Sequence, residues 1–207
     1  MIEVVHNEER QSTGILLHGL GSHAGDLQPI AQAIASVHHW LLPQGFFSLG
    51  DSVYAWFLFP EEHPSSVWDF SSISFIDPPD LTETAKKLAR CFQHIKKPCI
   101  VAGFSQGSML AVELTHYMSI DVLILFSSAL IAEQRWKHSL QLHGVSVFQS
   151  HGYHDDVLSI EQGKSLEKVL QLAGAQVTFC AFDGGHSISD KVISELIAWL
   201  QKLALDR

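Results

Sequence analysis

Val101-Ala102-Gly103-Phe104-Ser105-Gln106-Gly107-Ser108 decides how this chain is read. Pro98 introduces the apolar run Cys99-Ile100-Val101-Ala102, which has the length and composition of a buried strand. Ser108-Met109-Leu110-Ala111-Val112-Glu113-Leu114 is a run of good helix formers without Gly or Pro. Between them stands the pattern Gly-x-Ser-x-Gly. Gly103 and Gly107 carry no Cβ, so a strand and a helix can meet closely across the serine and leave its hydroxyl on a sharp, exposed turn. Taken alone the pattern is more often a loop; the strand before it and the helix after it select the turn.

Outward from that turn the chain alternates strand and helix. On the N-terminal side, Val4-Val5 opens an edge strand, and Gly14-Ile15-Leu16-Leu17 is a short buried strand running into the loop His18-Gly19-Leu20-Gly21. Asp26 is expected to cap a helix that puts Leu27, Ile30, Ala31, Ile34 and Val37 on one face, with His39-Trp40-Leu41-Leu42-Pro43 as the next strand. Asp80 is expected to cap another helix, with Leu81, Ala85, Leu88, Ala89, Phe92 and Ile95 inward. On the C-terminal side, strands are expected at 122–126, 145–148 and 177–182. A helix over 160–173 turns Leu166, Val169 and Leu170 inward, and a last helix begins near Ser189 or Asp190. This alternation predicts an α/β fold, a mostly parallel sheet with helices on both faces, formed by residues 1–207 as one domain. Residues 45–79 break the pattern and hold nine of the chain's twenty aromatics, and a loop of that length is usually functional.

Open parallel sheets bind ligands beyond the C-terminal ends of their strands. Three reactive residues fall on that edge in the order Ser105, Asp155, His186, each just after a predicted strand. A serine hydroxyl is a weak nucleophile and needs a histidine to take its proton; the histidine needs a carboxylate to fix its tautomer. Attack on an acyl carbon also creates an oxyanion that preplaced N–H donors must meet. The backbone N–H of Gln106, at the start of the following helix, is one candidate; the N–H of Leu20 in its glycine-flanked loop is the other. Each residue has a plainer reading as well: Asp155 as a turn former, His186 as a hydrogen-bonded loop histidine. Asp156 and Asp183 are rivals for the acid, Asp183 being better suited to its glycine-rich turn.

Composition narrows the function classes. Thirteen Lys and Arg against 22 Asp and Glu give a net charge of −9, and no basic stripe with interleaved aromatics is present, which argues against nucleic-acid binding. Cys91, Cys99 and Cys180 are odd in number and scattered, and the first ten residues carry charges where a secretory signal needs an apolar core, so a reduced, cytoplasmic protein is expected. The apolar runs are far shorter than a bilayer span. His151, His154, Asp155 and Asp156 look like metal ligands, but thirteen histidines make such pairs by chance and no metal is expected.

His18-Gly19-Leu20-Gly21, Trp56-Phe57, Gly103-Phe104-Ser105-Gln106-Gly107, His151-Gly152 with Asp155, and Gly185-His186 together resemble the acyl-protein thioesterase, lysophospholipase and carboxylesterase family of small α/β-hydrolases. The resemblance covers nearly the whole chain. It implies Ser105 as nucleophile, Asp155 as acid, His186 as base, Leu20 and Gln106 as oxyanion donors, no separate lid domain and no cofactor. The partner so implied is a small acyl ester or thioester, including lipid-like ones. Departures include Ser108 where the family commonly has a second glycine, Leu58-Phe59 where an acidic residue often follows, and Asp155-Asp156 where Asp-Pro is common. The greasier Trp56 region suggests an acyl groove walled by Trp56, Phe57 and Leu58, with Trp68 and Phe70 beyond, and an apolar patch there suits a homodimer or a membrane surface. A dienelactone or peptide hydrolase, or a non-catalytic binding protein on the same fold, are the alternatives.

Overall fold

Aliphatic runs bounded by Gly, Pro and polar residues form the strands of a seven-stranded sheet in a computed structural model that describes residues 2–5, 13–34, 39–60, 70–95 and 99–205. The strands are β1 (Ile2–Val5), β2 (Thr13–Leu17), β3 (His39–Pro43), β6 (Ile100–Phe104), β7 (Val122–Phe126), β8 (Ser146–Gly152) and β9 (Gln176–Phe182), in the spatial order β1-β3-β2-β6-β7-β8-β9. All neighbours are parallel except the edge pair β1–β3. The register aligns Leu17 with Gly103, Phe104 with Phe126, Phe126 with Ser150, and Gly152 with Phe182, so β2, β6, β7, β8 and β9 all deliver their following loops to one edge.

Alternation along each strand divides the side chains between two apolar layers. Ile15, Leu17, Val101, Leu123, Leu125 and Val147 face one way, with residues of α2 (Pro79–Phe92), α3 (Gln106–Leu114), α4 (Glu133–Ser139) and α5 (Ile160–Leu172). Leu16, Ile100, Ala102, Ile124, Phe126 and Phe148 face the other, with residues of α1 (Gln28–Ala33) and α6 (Asp190–Leu205). β6 and β7, covered on both faces, read as apolar runs for this reason, whereas β8, equally buried, carries Gln149, Ser150 and His151 in its second half.

Several elements differ from the sequence reading. The expected helix from Asp26 is a 3-10 turn over Ala24–Leu27 followed by the short α1; His23 is the N-cap, and Asp26 sits at the third helical position, where its carboxylate closes a capping box. Val37 lies outside the described residues. Pro78 precedes α2 as its N-cap, and Asp80 is in the first turn, where a carboxylate complements the helix dipole. Within residues 45–79, β4 (Phe47–Gly50) and β5 (Val53–Ala55) form a small hairpin whose turn uses Ser52 at φ 58°, and Phe70–Phe75 is a 3-10 segment. α4 was not expected: its sequence Glu133-Gln134-Arg135-Trp136-Lys137-His138-Ser139 has one inward residue, Trp136, too little periodicity to stand out.

Trp136 and Arg135 join α4 to the centre of the fold through a charge. Glu113 on α3 is fully buried; it accepts from both Arg135 Nη1 (2.8 Å to each carboxylate oxygen), from Trp136 Nε1 (2.7 Å) and from Thr82 Oγ1 (3.0 Å). Arg135 also grips Asp77 through Nε and Nη2, both at 2.8 Å. A buried carboxylate is tolerated only when paired this fully. Replacing Arg135→Met should therefore cost about 2–4 kcal/mol in urea denaturation, discounted for the partial exposure of the guanidinium, and an unaltered midpoint would show that Glu113 does not need it.

Candidate active site

Ser105 stands between β6 and α3 in a backbone conformation that few L-residues adopt, φ 51° and ψ −117°. The strain is held by packing and hydrogen bonds on both sides. Its N–H donates to Phe126 O at 2.9 Å, and its C=O accepts from Ser108 N at 3.0 Å and from Ser108 Oγ at 2.5 Å. The two glycines are required by contact: a Cβ on Gly103 would lie 2.4 Å from the Gly107 carbonyl, and one on Gly107 would lie 2.3 Å from Leu17 O. Ser108, at the place of the family's second glycine, thus braces the turn.

Across the edge, His186 Nδ1 lies 2.8 Å from Asp155 Oδ2. The other carboxylate oxygen accepts from Val157 N at 3.0 Å and from Leu158 N at 2.8 Å. Burial by itself pushes the Asp155 carboxyl up, but the His186 hydrogen bond and the Leu158 and Val157 N–H groups outweigh it and hold the carboxyl below its ordinary value. An ionised Asp155 is an acceptor only, so Nδ1 of His186 bears a proton, and in the neutral tautomer so fixed Nε2 is the nitrogen with the free lone pair. The rivals are elsewhere: Asp156 is exposed, and Asp183 is solvent-exposed and paired with His154 at 2.9 Å. His186 also packs on Phe104, with ring centroids 4.9 Å apart.

Behind Asp155 sits His151, which the sequence presents as part of the His151-Gly152 family motif and as a chance look-alike of a metal ligand. It is fully buried, with Nε2 2.7 Å from Leu158 O and 3.4 Å from Asp155 Oδ2. Since a carbonyl only accepts, Nε2 carries the proton and ties the 152–158 loop to β8. Gly163 of α5 covers the ring so closely that a Cβ there would lie 2.5 Å from Nδ1. Among the described residues, no group of three or more His, Cys, Asp or Glu side chains is placed to hold a metal.

The loop after β2 is arranged by His18. Gly45 N donates to its Nε2 at 3.0 Å, so Nδ1 bears the proton and donates to Gly19 O at 2.8 Å. A trans peptide sets C=O and N–H in opposite directions, and turning the Gly19 carbonyl back to the imidazole aims the Leu20 N–H the other way. Gly21, at φ 76°, then donates to Tyr54 O at 2.9 Å, pinning the loop to β5. Gln106 is the first residue of α3, where the backbone N–H has no partner within the helix.

Ser105, His186, Leu20 and Gln106 line one cavity of about 560 Å³, and its remaining wall is largely apolar: Leu27, Ile30, Phe59, Phe70, Ile73, Phe104, Met109, Val157, Leu158 and Ile188 among others. The expected groove residues are placed differently. Trp56 and Phe57 are fully buried and do not line the cavity, and Leu58 is turned partly to solvent away from it; Trp68 lies outside the described residues. The reason is a backbone clamp: Gln106 accepts from Trp56 N through Oε1 and donates to Phe57 O through Nε2, both at 2.8 Å, while Trp56 Nε1 donates to His18 O at 2.8 Å. Aromatic enrichment located the region, but only this clamp determines that the next ring, Phe59, reaches the cavity, stacked edge-on against Phe57 and Phe70.

A mostly parallel sheet with a serine on a strained strand–helix turn and a His–Asp pair on the same edge defines an α/β-hydrolase. Residues 79–204, more than half of the chain, match the phospholipase/carboxylesterase family model, and the chain belongs to that family, an esterase-type group of hydrolases. The fold is shared with acyl-protein thioesterase 2 of Zea mays (TM-score 0.78, 20% identity, 98% of each chain covered). It is shared also with carboxylesterases of Bacillus cereus (0.74, 22%, 98% of this chain and 94% of that one) and Mesorhizobium loti (0.75, 19%, 93% and 90%). Among the described residues, no helix is long and apolar enough to cross a membrane.

His18 and His151 both titrate below the ordinary 6.5, burial being the main cause. The unfolded chain takes up these protons as pH falls through about 6.5 while the folded state resists, so stability is full above that pH and declines below it. Urea denaturation between about pH 7.5 and 5 should show the decline, with a slope shallower by up to two protons in the His18→Asn/His151→Asn variant; an equal slope would contradict neutral burial.

Proposed function

We propose that this chain hydrolyses carboxylic esters or thioesters through an acyl-serine formed on Ser105. The observation that carries the reading is the His186–Asp155 hydrogen bond of 2.8 Å, with His186 facing the same cavity as Ser105. Nε2 of His186 takes the Ser105 hydroxyl proton as Oγ attacks the acyl carbon, and Asp155 stabilises the imidazolium so formed. The N–H groups of Leu20 and Gln106 receive the oxyanion, each worth on the order of 10²–10³ in rate. Collapse expels the alcohol or thiol, which takes the proton from His186. Water then repeats the sequence on the acyl-serine, releasing the acid and restoring Ser105.

The largely apolar wall from Phe59 to Ile188 supports an aliphatic or aromatic acyl or alcohol group as the part of the substrate that is buried. The two core layers share one sheet, which supports reading residues 1–207 as a single catalytic domain, and the scattered cysteines suit a reducing, cytoplasmic setting.

A fluorophosphonate probe should label the folded protein, with labelling lost in Ser105→Ala and kept in Ser108→Ala. Ser105→Ala and His186→Ala should each lower kcat for p-nitrophenyl butyrate by roughly 10⁴-fold or more. In a series of p-nitrophenyl esters, kcat/KM should rise from acetate to butyrate or longer by up to about 15-fold per pair of fully buried methylenes until the cavity is filled. Absence of labelling in wild-type protein would point to the binding-protein alternative, and a flat chain-length series would remove the apolar cavity from substrate recognition.

A further inference from the structure

Among the described residues that line the cavity, one carries a fixed charge: Asp26, and neither lysine nor arginine is present to offset it. Its carboxylate is oriented by the fold. Ser22 Oγ donates to Oδ2 at 2.6 Å, His23 N donates to the same oxygen at 3.3 Å, and Ser22 is itself fixed to β5, its carbonyl accepting from Tyr54 N at 3.1 Å. The Ser22 hydrogen bond is also the main reason the Asp26 carboxyl lies below its ordinary value, so it is ionised throughout the neutral range. Nδ1 of His23 accepts from Gly25 N at 3.0 Å, which puts the proton of the neutral ring on Nε2, at 3.4 Å from Asp26 Oδ1, a loose contact; the Asp26 side chain is half exposed where it lines the cavity. Ser22, Asp26, Leu27 and Ile30 form the wall beside the Leu20 loop, so the charge belongs to the reacting site and not to a remote surface.

We propose that Asp26 selects substrate by charge: the site takes esters or thioesters whose acyl or leaving group is neutral or cationic near the scissile bond, as in quaternary-ammonium or amine-bearing esters, and rejects anionic ones such as half-esters of dicarboxylic acids. The proposal rests on the ester-hydrolase reading of Ser105. A unit charge held roughly 7 Å from Asp26, in surroundings of effective dielectric constant about 20–40, changes transition-state binding by a factor of about seven to fifty, and the half exposure of Asp26 favours the lower end. Among the described residues of the wall, the apolar side chains neither solvate an anion nor screen it, and the Leu20 and Gln106 N–H groups are taken up by the oxyanion of the reacting acyl group.

Two matched substrate pairs read the effect with active-site-titrated enzyme. One is p-nitrophenyl hemisuccinate against its neutral methyl ester. The other is butyrylthiocholine against the uncharged S-(3,3-dimethylbutyl) thiobutyrate. In wild-type protein at about 20 mM salt, kcat/KM should favour the neutral member of the first pair and the cationic member of the second by about tenfold, and about 0.5 M salt should compress both ratios. In Asp26→Asn, which keeps the size of the side chain, either ratio should move toward unity by threefold or more. Smaller movement in both ratios overturns the proposal while leaving the hydrolase reading intact. No hydrolysis of the neutral esters by wild-type protein overturns that reading, and this one with it. Should Asp26→Asn fail to fold, the salt dependence of the wild-type ratios decides: compression sustains the charge selection, and constancy refutes it.

Discussion

The closeness of α3 to β2 and β6 is the constraint on which the site depends. At Gly107 the helix backbone passes so near the Leu17 and His18 carbonyls that a single added carbon would sit 2.3–2.5 Å from them, and Gly103 meets Gly107 with the same lack of clearance. Ser105, between the two, has φ 51° because no relaxed backbone turns a strand into a helix within that space. The strain is offset by the apolar packing of α3, all nine residues of which are buried, and by the Phe126 carbonyl that receives the Ser105 N–H. What results is a hydroxyl lifted out of the sheet edge while its own backbone stays locked beneath it.

The same tight junction ties the surrounding groups together. Gln106, first in α3, uses its side-chain amide on the Trp56 and Phe57 backbone, and Trp56 in turn holds the His18 carbonyl, so serine, aromatic segment and glycine loop share one hydrogen-bonded frame. Two buried imidazoles serve as neutral connectors in that frame. His18 sets the Gly19 carbonyl, and His151 holds the 152–158 loop beside Asp155. Each has a defined tautomer because one ring nitrogen meets an obligate acceptor or donor of the backbone, a use of histidine distinct from the proton transfer proposed for His186.

Much of the fold was readable because its signals are local. Apolar runs of strand length alternate with helical periodicity from β6 to α6, and strands buried on both faces leave unbroken hydrophobic stretches such as Val122–Phe126. The misses lie where local signals are weak or shared. The β4–β5 hairpin has strands of four and three residues, too short for alternation to register, and α4 shows one inward residue in seven. Asp26 looked like an N-cap because aspartate is common there; the cap is His23, and Asp26 answers it from the third position, a distinction made by backbone angles and not by residue type.

By itself the sequence determined the α/β alternation, the strand–turn–helix around Ser105, and the order in which serine, aspartate and histidine reach one edge of the sheet, since these follow from periodicity and from the parallel topology it implies. Only the tertiary structure decided which of the neighbouring carboxylates meets His186, which aromatics line the cavity, and that Asp26 lies on its wall. Those choices turn on a rotation of the chain by one residue or a single side-chain direction. Long-range contacts set both, Asp155 against His186 across 31 residues and Gln106 against Trp56 across 50, and no local pattern encodes such contacts.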